Sequence, residues 1–247
     1  MVSQFHVHSI GIVAENKPRN DRFCNIIAIE DSPALDGEVS YNPQTEVIQI
    51  TDSVGKVTSI KTTSDATINC EWYPSGSNRV TPPDVQRGEL VEILRLADTD
   101  QYYWRCMGLR DNLRRLETVI FAVNASPENG GSNGINFKNC YFFEVSGHNG
   151  QITLGTSKAN GEPFSYTMQL NTKEGAFNLI DDIGNQFELD SGDRRLQMRN
   201  ADNSYVKVEK KTVEISGDDS VKLMSGGTSF ELTPKGSTHT TPDYAIV

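Results

Sequence analysis

The chain has 247 residues, of which 36% are hydrophobic, and its formal net charge at pH 7 is −10. Globular chains usually carry ~45–50% apolar residues on a scale that also counts Gly, so this composition favours an elongated protein with a thin core over a compact enzyme. The acidic balance and the scattered Lys and Arg residues exclude nucleic acid as the main partner, because phosphate binding needs a basic stripe.

Targeting signals and metal-type cysteine spacing are missing from the sequence. No run approaches the ~20 apolar residues that span a bilayer. The start MVSQFHVHSIGIV has neither a basic region nor a small-residue cleavage site, so we expect no signal peptide. Cys24, Cys70, Cys106 and Cys140 are widely spaced and lie in strand-like runs. Buried reduced thiols are therefore expected, as in a chain made in a reducing cytoplasm, and a structural zinc site would need tighter spacing.

The sequence pattern of residues 1–123 predicts a small β-domain. Alternating apolar and polar residues, separated by clusters of Pro, Gly, Asn and Asp, are typical of short strands in a barrel or sandwich. The predicted strands are 5–13, 25–30, 46–51, 56–62, 66–72, 88–96 and 101–107.

A change of composition follows this domain. The segment 111–123 is ambiguous, because Leu113, Leu116 and Ile120 have helical spacing while TVIFAV reads as a strand. Residues 124–138 begin with a stretch rich in Gly, Asn and Ser and are predicted to be a linker.

Residues 139–233 repeat one small unit, a pair of apolar residues one position apart, separated from the next pair by polar turn residues. A two-residue spacing places both side chains on one face of a strand, and a near-constant period predicts a stacked β-array. The predicted core pairs are Phe177/Leu179, Phe187/Leu189, Leu196/Met198, Val206/Val208, Val213/Ile215, Val221/Leu223 and Phe230/Leu232.

Three architectures can house this array. A single-chain solenoid would have under three full turns, and an antiparallel meander would fit the SGD and ADN turns but leave a shallow core. An intertwined trimer, in which each copy supplies one strand per layer, would triple the apolar side chains of each layer and remove the sheet edges. We expect the trimer. Pro234 and Pro242 do not suit a central strand, so the tail 234–247 is predicted to end or cap the array.

The ladder FELDSGDRRLQMRNADNSYVKVEKKTVEISGDDSVKLMSGGTSFEL, with VTPPDVQRGELVEIL and the DTDQYYW strand before it, resembles the central spike proteins of contractile phage tails and the related type VI secretion spikes. That resemblance implies an all-β fold with an N-terminal OB-type barrel and a C-terminal intertwined triple-stranded β-helix needle, assembled as a trimer. The segment between barrel and needle is too short for the lysozyme domain of some members. Some smaller spikes hold iron through a His-x-His near the C-terminus, but this tail has only His239, so no cofactor is implied.

The function implied by the resemblance is structural rather than enzymatic. A homotrimer in the tail baseplate of the virion, assembled in the host cytoplasm, would dock its barrel on the tail hub and pierce the host envelope when the sheath contracts. A separate tip protein could sit at the C-terminus. The alternative is a receptor-binding tail fibre or adhesin that shares the trimeric β stem but uses the barrel to bind.

Candidate site residues outside the needle core have simpler interpretations. His6 and His8 lie two positions apart, so they share a strand face and could hold one metal, or several across a trimer axis, but no Cys or carboxylate completes the set in sequence. Residues 130–134 match G-x-S-x-G, yet they lie in the linker with no helix after them, and His148 and His239 are in a turn and near the tail. A hydrolase is not expected, and we predict no catalytic residue.

The acidic pairs and aromatic residues of the sequence also have simpler interpretations than a catalytic or binding site. The pairs Glu89/Glu92 and Asp181/Asp182, like the run 209–211, are interpreted as solvated turn and strand residues. Tyr102, Tyr103 and Trp104 could form a stacking platform on the barrel, but alternation sends Tyr102 and Trp104 to one face. At least part of this aromatic set is therefore expected in the core.

Overall fold

The structure, a computed structural model, describes residues 4–30, 44–51, 55, 57–64, 67–108, 114, 116–126 and 135–242. Over these residues the protein is all-β, as predicted, with one short 3-10 helix at Phe137–Asn139 and no α-helix. The strands are β1 Phe5–Val13, β2 Phe23–Ala28, β3 Gln44–Thr51, β4 Val57–Ser64, β5 Ile68–Trp72, β6 Leu90–Leu96, β7 Tyr102–Cys106, β8 Thr118–Asn124, β9 Cys140–Ser146, β10 Gln151–Gly155, β11 Tyr166–Asn171, β12 Ala176–Asp181, β13 Gln186–Asp190, β14 Arg195–Arg199, β15 Tyr205–Glu209, β16 Thr212–Ser216, β17 Val221–Ser225, β18 Thr228–Thr233 and β19 Gly236–Thr240.

Two compact units divide the chain, residues 1–119 and 120–247. In the first unit, five strands close a barrel in the order β1-β2-β5-β7-β6, and β6 pairs with β1 to complete it. Only the β5–β7 pair is parallel; the other four pairs are antiparallel. The seven strands predicted for this part all form, with ends within two residues of the predicted ones.

The barrel interior is filled by alternate residues of its strands. A Cβ at Gly11 on β1 would clash with the side chains of Ile26 and Ile93, so glycine at this position leaves room for both of them in the core. Trp104 is fully buried, and its Nε1–H donates to the carbonyl oxygen of Arg22 at 3.0 Å. The buried core cluster consists of Val13, Cys24, Ile26, Ala28, Cys70, Trp72, Val85, Val91, Ile93 and Trp104.

Two core thiols give the barrel a predicted pH dependence. Cys24 and Cys70 lie directly opposite each other on β2 and β5, and burial raises the pKa of each thiol to about 12 from an ordinary value of 9.0. An unfolded chain releases these protons near the ordinary pKa, whereas the folded barrel keeps them. The free energy of unfolding is therefore expected to fall as the pH rises from about 9 towards 12, by up to ~1.4 kcal/mol per pH unit for each thiol.

Urea unfolding between about pH 8 and about pH 11 measures this effect. The matched control is Cys70→Ala, whose stability should depend less steeply on pH because one titrating thiol is gone. Equal slopes for the wild type and Cys70→Ala would contradict the prediction, since tyrosine and lysine ionisation contributes alike to both proteins.

A β-hairpin interrupts the barrel between β2 and β5. Strands β3 and β4 pair only with each other among the described residues, in an unbroken antiparallel register that runs from Gln44 opposite Ser64 to Thr51 opposite Val57. Because β2 and β5 are themselves paired, the chain leaves and re-enters the barrel at neighbouring strands. We call residues 44–64 the arm.

The second unit is built from consecutive hairpins. A nine-stranded sheet has the strand order β16-β15-β14-β13-β12-β11-β10-β9-β8, and β9 to β16 pair antiparallel in chain order. A separate three-stranded sheet contains β17, β18 and β19. The chain therefore forms a meander in which each strand bonds its own neighbours, and not the one-strand-per-layer arrangement expected of an intertwined trimer.

The predicted boundaries differ from the pairing at both ends of this unit. Strand β8, most of which was assigned to the barrel domain 1–123, is the edge strand of the nine-stranded sheet. The prediction of a strand for this segment is confirmed, and the alternative prediction of a helix is wrong. Of the predicted linker 124–138, residues 127–134 lie outside the described residues. In the predicted cap 234–247, β19 continues the β pattern and pairs with β18, while residues 243–247 lie outside the described part.

Candidate functional site

The second unit carries a continuous apolar face made of two columns of side chains. Directly opposed residues in an antiparallel sheet share a face, and the register places apolar residues opposite one another across eight successive strands. The first column is Phe143, Leu154, Met168, Leu179, Phe187, Met198, Val206 and Ile215. The second column is Val145, Ile152, Leu170, Phe177, Leu189, Leu196, Val208 and Val213.

The fourteen predicted core residues all belong to faces of this kind. Five of the seven predicted pairs lie in the two columns, and the other two form the same arrangement in the three-stranded sheet, where Val221 is opposite Leu232 and Leu223 is opposite Phe230. The sequence pattern thus predicted which side chains share a face. Turn lengths set the register that aligns them from strand to strand.

In a single chain this apolar face is open. Thirteen of the sixteen side chains in the two columns are at least 36% exposed, up to 67% at Val213, and Met168, Phe177 and Phe187 are half-buried. Aromatic contacts along the first and second columns are made within the chain, as between Phe177 and Phe187, whose ring centroids are 5.9 Å apart. An apolar surface of this extent is much larger than the patches that monomeric soluble proteins leave in water.

Side chains of the first column also line a groove of about 670 Å³. Leu179, Phe187, Met198, Val206 and Ile215 line its length, and Val221 at the start of β17 lines one end. Polar side chains line the groove as well, among them Asp181, Asn185 and Arg199, and Asp181 and Asn185 are hydrogen-bonded to each other within their turn.

The opposite face of the nine-stranded sheet carries mostly polar side chains, and several of them pair with one another. Arg195 Nη2 donates to Glu188 at 2.7 Å and to Asp190 at 3.2 Å. Lys207 Nζ lies 2.9 Å from Glu214 Oε2, and hydrogen bonds from Lys207 and Tyr205 lower the pKa of the Glu214 carboxyl. Many charged groups of this face thus have partners within the chain, although Arg195 Nε is buried without a hydrogen-bond partner among the described residues.

Carboxylate and amide side chains fix the hairpin turns. Asp181 accepts hydrogen bonds from the backbone N–H groups of Ile183, Gly184 and Asn185 at 3.2, 2.8 and 2.8 Å. Asp182 accepts from Lys158 at 2.5 Å, and this bond lowers the pKa of its carboxyl. Both members of the candidate acid–base pair Asp181/Asp182 thus serve as turn anchors, as Asx turns commonly do.

The histidine pair does not share a regular strand face. A β-bulge between Val7 and Ser9 interrupts the pairing of β1 with β6, so the alternation that would align His6 with His8 is broken. The His8 ring packs against Tyr102 at a centroid distance of 5.2 Å. No cluster of three or more His, Cys, Asp or Glu side chains suited to a metal occurs among the described residues.

The aromatic run on β7 divides between the two sides of the barrel wall, as alternation predicts. Trp104 is in the core and Tyr102 packs partly against it. Tyr103 faces outwards and forms a cluster with Phe5 and Tyr73, with ring centroids 5.1 to 6.4 Å apart. The remaining candidates are scattered: residues 130–134 lie outside the described part, His148 is in the turn after β9, and His239 is in β19.

A four-membered ion-pair network on the barrel was not predicted. Arg79 Nη2 lies 2.5 Å from Glu117 Oε1, Arg114 Nη1 lies 2.7 Å from Glu89 Oε2, and Arg114 Nε lies 3.9 Å from Glu117 Oε1. All four side chains are less than one-fifth exposed. The network ties the segment before β8 to the connection between β5 and β6. Glu89 is thus engaged here, and Glu92 pairs with Arg105, so the two are not a free carboxylate pair.

Replacing Glu117 with Gln should lower the free energy of unfolding of the first unit by about 1–3 kcal/mol, because two largely buried guanidinium groups lose a charged partner. The control is Glu71→Gln, which breaks the pair of Arg22 and Glu71, both more than one-third exposed. That loss should stay below about 1 kcal/mol. Urea unfolding of both variants at one pH makes the comparison, and equal losses would contradict it.

No protein-family model matches the chain, and no curated protein sequence matches it significantly. Among the described residues, no helix is long and apolar enough to cross a membrane.

Proposed function

We propose that three copies of this chain associate through their apolar faces to form a three-sided β-prism, the needle of a contractile-tail spike. The observation that supports this is the contrast between the two faces of the nine-stranded sheet. One face is polar and internally paired, and the other carries two open apolar columns eight strands long. Three such faces turned towards a common axis would bury one another.

The in-chain pairing gives each copy a wall of its own. Strand-to-strand hydrogen bonds run perpendicular to the strands, so in such a wall they run along the needle. The Asx-type turns at Asp181, Asp190 and Asn200 would then lie at the prism corners. Burying a half-exposed aliphatic or aromatic side chain contributes on the order of 1 kcal/mol, and each copy has two full columns of them.

The barrel is proposed to be the OB-type docking domain. If the five barrel strands β1, β2, β5, β6 and β7 are numbered 1 to 5 in chain order, their order around the barrel is 1-2-3-5-4, and strand 4 pairs with strand 1 to close it. The single parallel pair is then formed by strands 3 and 5. A five-stranded closed barrel of mixed pairing supports the OB-type interpretation. A trimer of such barrels requires a seat of compatible symmetry, which a tail hub provides.

The proposed protein is thus a non-enzymatic central spike of a contractile-tail baseplate in a virion, assembled in the host cytoplasm. It docks on the hub through its barrels and breaches the host envelope when the sheath contracts. Stiffness comes from axial main-chain hydrogen bonding and a dry apolar axis. A separate tip protein at the C-terminal end is compatible with this arrangement.

The alternative is a receptor-binding fibre or adhesin with the same trimeric stem. The outward-facing aromatic cluster of Phe5, Tyr73 and Tyr103 is the feature of the barrel that favours a binding role. Immuno-electron microscopy of contractile particles carrying this chain separates the two. Label on the tail axis beneath the baseplate supports the spike, and label at the tips of peripheral fibres contradicts it.

A biochemical comparison gives a second readout. The full chain should bind the purified hub of those particles at a ratio of three chains per hub axis, and should not bind purified bacterial surface glycan. Binding to glycan with no binding to the hub would favour the fibre or adhesin.

A further inference from the structure

Among the described residues, neither outer edge of the arm is paired with a further strand. Strands β3 and β4 are equal in length, and each pairs only with the other among the described residues. A two-stranded ribbon alone is at best marginally stable in water. Exposed regular edges also invite pairing with another strand, and natural proteins usually block them with bulges, Pro or several charges.

Strands β3 and β4 show little of this protection. Its register has no bulge, neither strand contains Pro or Gly, and Glu46 and Lys61 are the two charged residues in the two strands. Thr, Val and Ile are frequent in both strands, and such residues favour β pairing. The arm is therefore built to accept a further strand on each side.

The two faces of the arm differ in sequence. The register places Ile48 opposite Ile60, with Ile50 at the next alternate position, so one set of alternate positions is rich in isoleucine. The other set includes Val47 and Val57, which are 61% and 55% exposed. A ring formed from arms would present one of these sets to its interior and the other to solvent.

We infer that the three arms of the proposed trimer join edge to edge, β4 of one copy against β3 of the next, into a closed six-stranded ring. This inference rests on the three-fold association proposed above. Within an arm, β3 and β4 run in opposite directions, and three-fold symmetry places all arms at one height and in one orientation. Each β4 therefore meets the next copy's β3 antiparallel, and the alternation continues around the whole ring.

The strand that pairs with each edge belongs to a second copy of the chain, because each arm has two open edges and both have to be paired. A two-fold contact would pair one edge of each arm and leave the other open. A single strand from a foreign partner would also fill only one edge. A head-to-tail contact repeated three times closes on itself and satisfies both edges of every arm.

Mixed cross-linking of the full chain tests this geometry. Gln49 and Ser59 are both exposed and lie directly opposite each other near the tip of the arm. A chain with Gln49→Cys and one tag is co-expressed with a chain with Ser59→Cys and a second tag, and the purified trimer is treated with a short bis-maleimide. A ring predicts cross-linked chains that carry both tags, at least fivefold more abundant than cross-links in either single-variant preparation.

Two controls are available in the same chain. Wild-type protein reports any background from the native thiols, three of which are buried. A chain with both substitutions should link within its own arm, which verifies that the two introduced thiols react. Residue-resolved amide exchange adds an independent readout, because the ring predicts slow exchange for all the central amides of β3 and β4, not only for the alternate ones bonded within the arm.

The outcomes separate this inference from the proposed function. A trimer by native mass, with no excess of mixed cross-links or with rapid exchange at alternate arm amides, overturns the ring and leaves the needle trimer intact. A monomer overturns the needle trimer and the ring together. Arm amides that become protected only when hub protein is added also overturn the ring, since the edges would then belong to a different partner.

Discussion

Replacing Val213 and Ile215 together with aspartate is expected to abolish the trimer. Both side chains end the apolar columns on β16, where they are 67% and 49% exposed in a single chain and would be covered by the other two copies. Each uncompensated buried charge costs roughly 3–5 kcal/mol, and every trimer would contain three copies of both. Light scattering on a sizing column should report the mass of one chain, or aggregates, in place of three.

The control for this experiment adds the same charges to the other face of the same strand. Thr212→Asp with Ser216→Asp places two carboxylates on the polar side of β16, where Glu209 lies opposite Thr212 and Tyr205 lies opposite Ser216. The trimer should survive. If the Val213 and Ile215 variant stays trimeric and as heat-stable as this control, the apolar face is not the interface.

Replacing Trp104 with alanine is expected to destabilise the barrel by about 3–5 kcal/mol. The indole is fully buried in the core cluster, so truncation leaves a large cavity and also removes the hydrogen bond to the Arg22 carbonyl. Urea unfolding measures the loss, with fluorescence from Trp72, which is 5% exposed, reporting on the barrel.

Tyr103→Ala is the matched control because it truncates the adjacent aromatic residue on the outer side of the same strand. Its ring contacts Phe5 and Tyr73 but not the core cluster, so a loss of about 1–2 kcal/mol is expected. A loss below about 1 kcal/mol for Trp104→Ala, or a larger loss for Tyr103→Ala, would contradict the core assignment.

Local patterns were sufficient to predict most strands and their faces. A strand such as Phe187–Leu189 needs only a two-residue apolar spacing between turn residues, and the Asp181 turn supplies its own hydrogen bonds. Both signals are contained in a few consecutive residues. For the same reason the sequence pattern was enough to predict that the two apolar residues of each pair share one face of their strand.

The same local pattern could not predict which strands pair with each other. A repeated two-residue face looks identical whether the next strand belongs to the same chain or to another copy, so the sequence did not separate a meander from strands shared between chains. The bulge at Val7/Ser9, the parallel pairing of β5 with β7 and the contact of Arg79 with Glu117 all depend on tertiary packing. Of these three features, only the contact of Arg79 with Glu117 has a sign in the sequence, namely the charged residues that precede β8.

The native mass of the purified chain tests the central claim most directly. Light scattering on a sizing column should give three times 27.3 kDa, and the species should persist on dilution because two apolar columns per copy are buried together. A mass of 27.3 kDa that is independent of concentration would contradict the needle, because the apolar face would then be stable in water without a second copy.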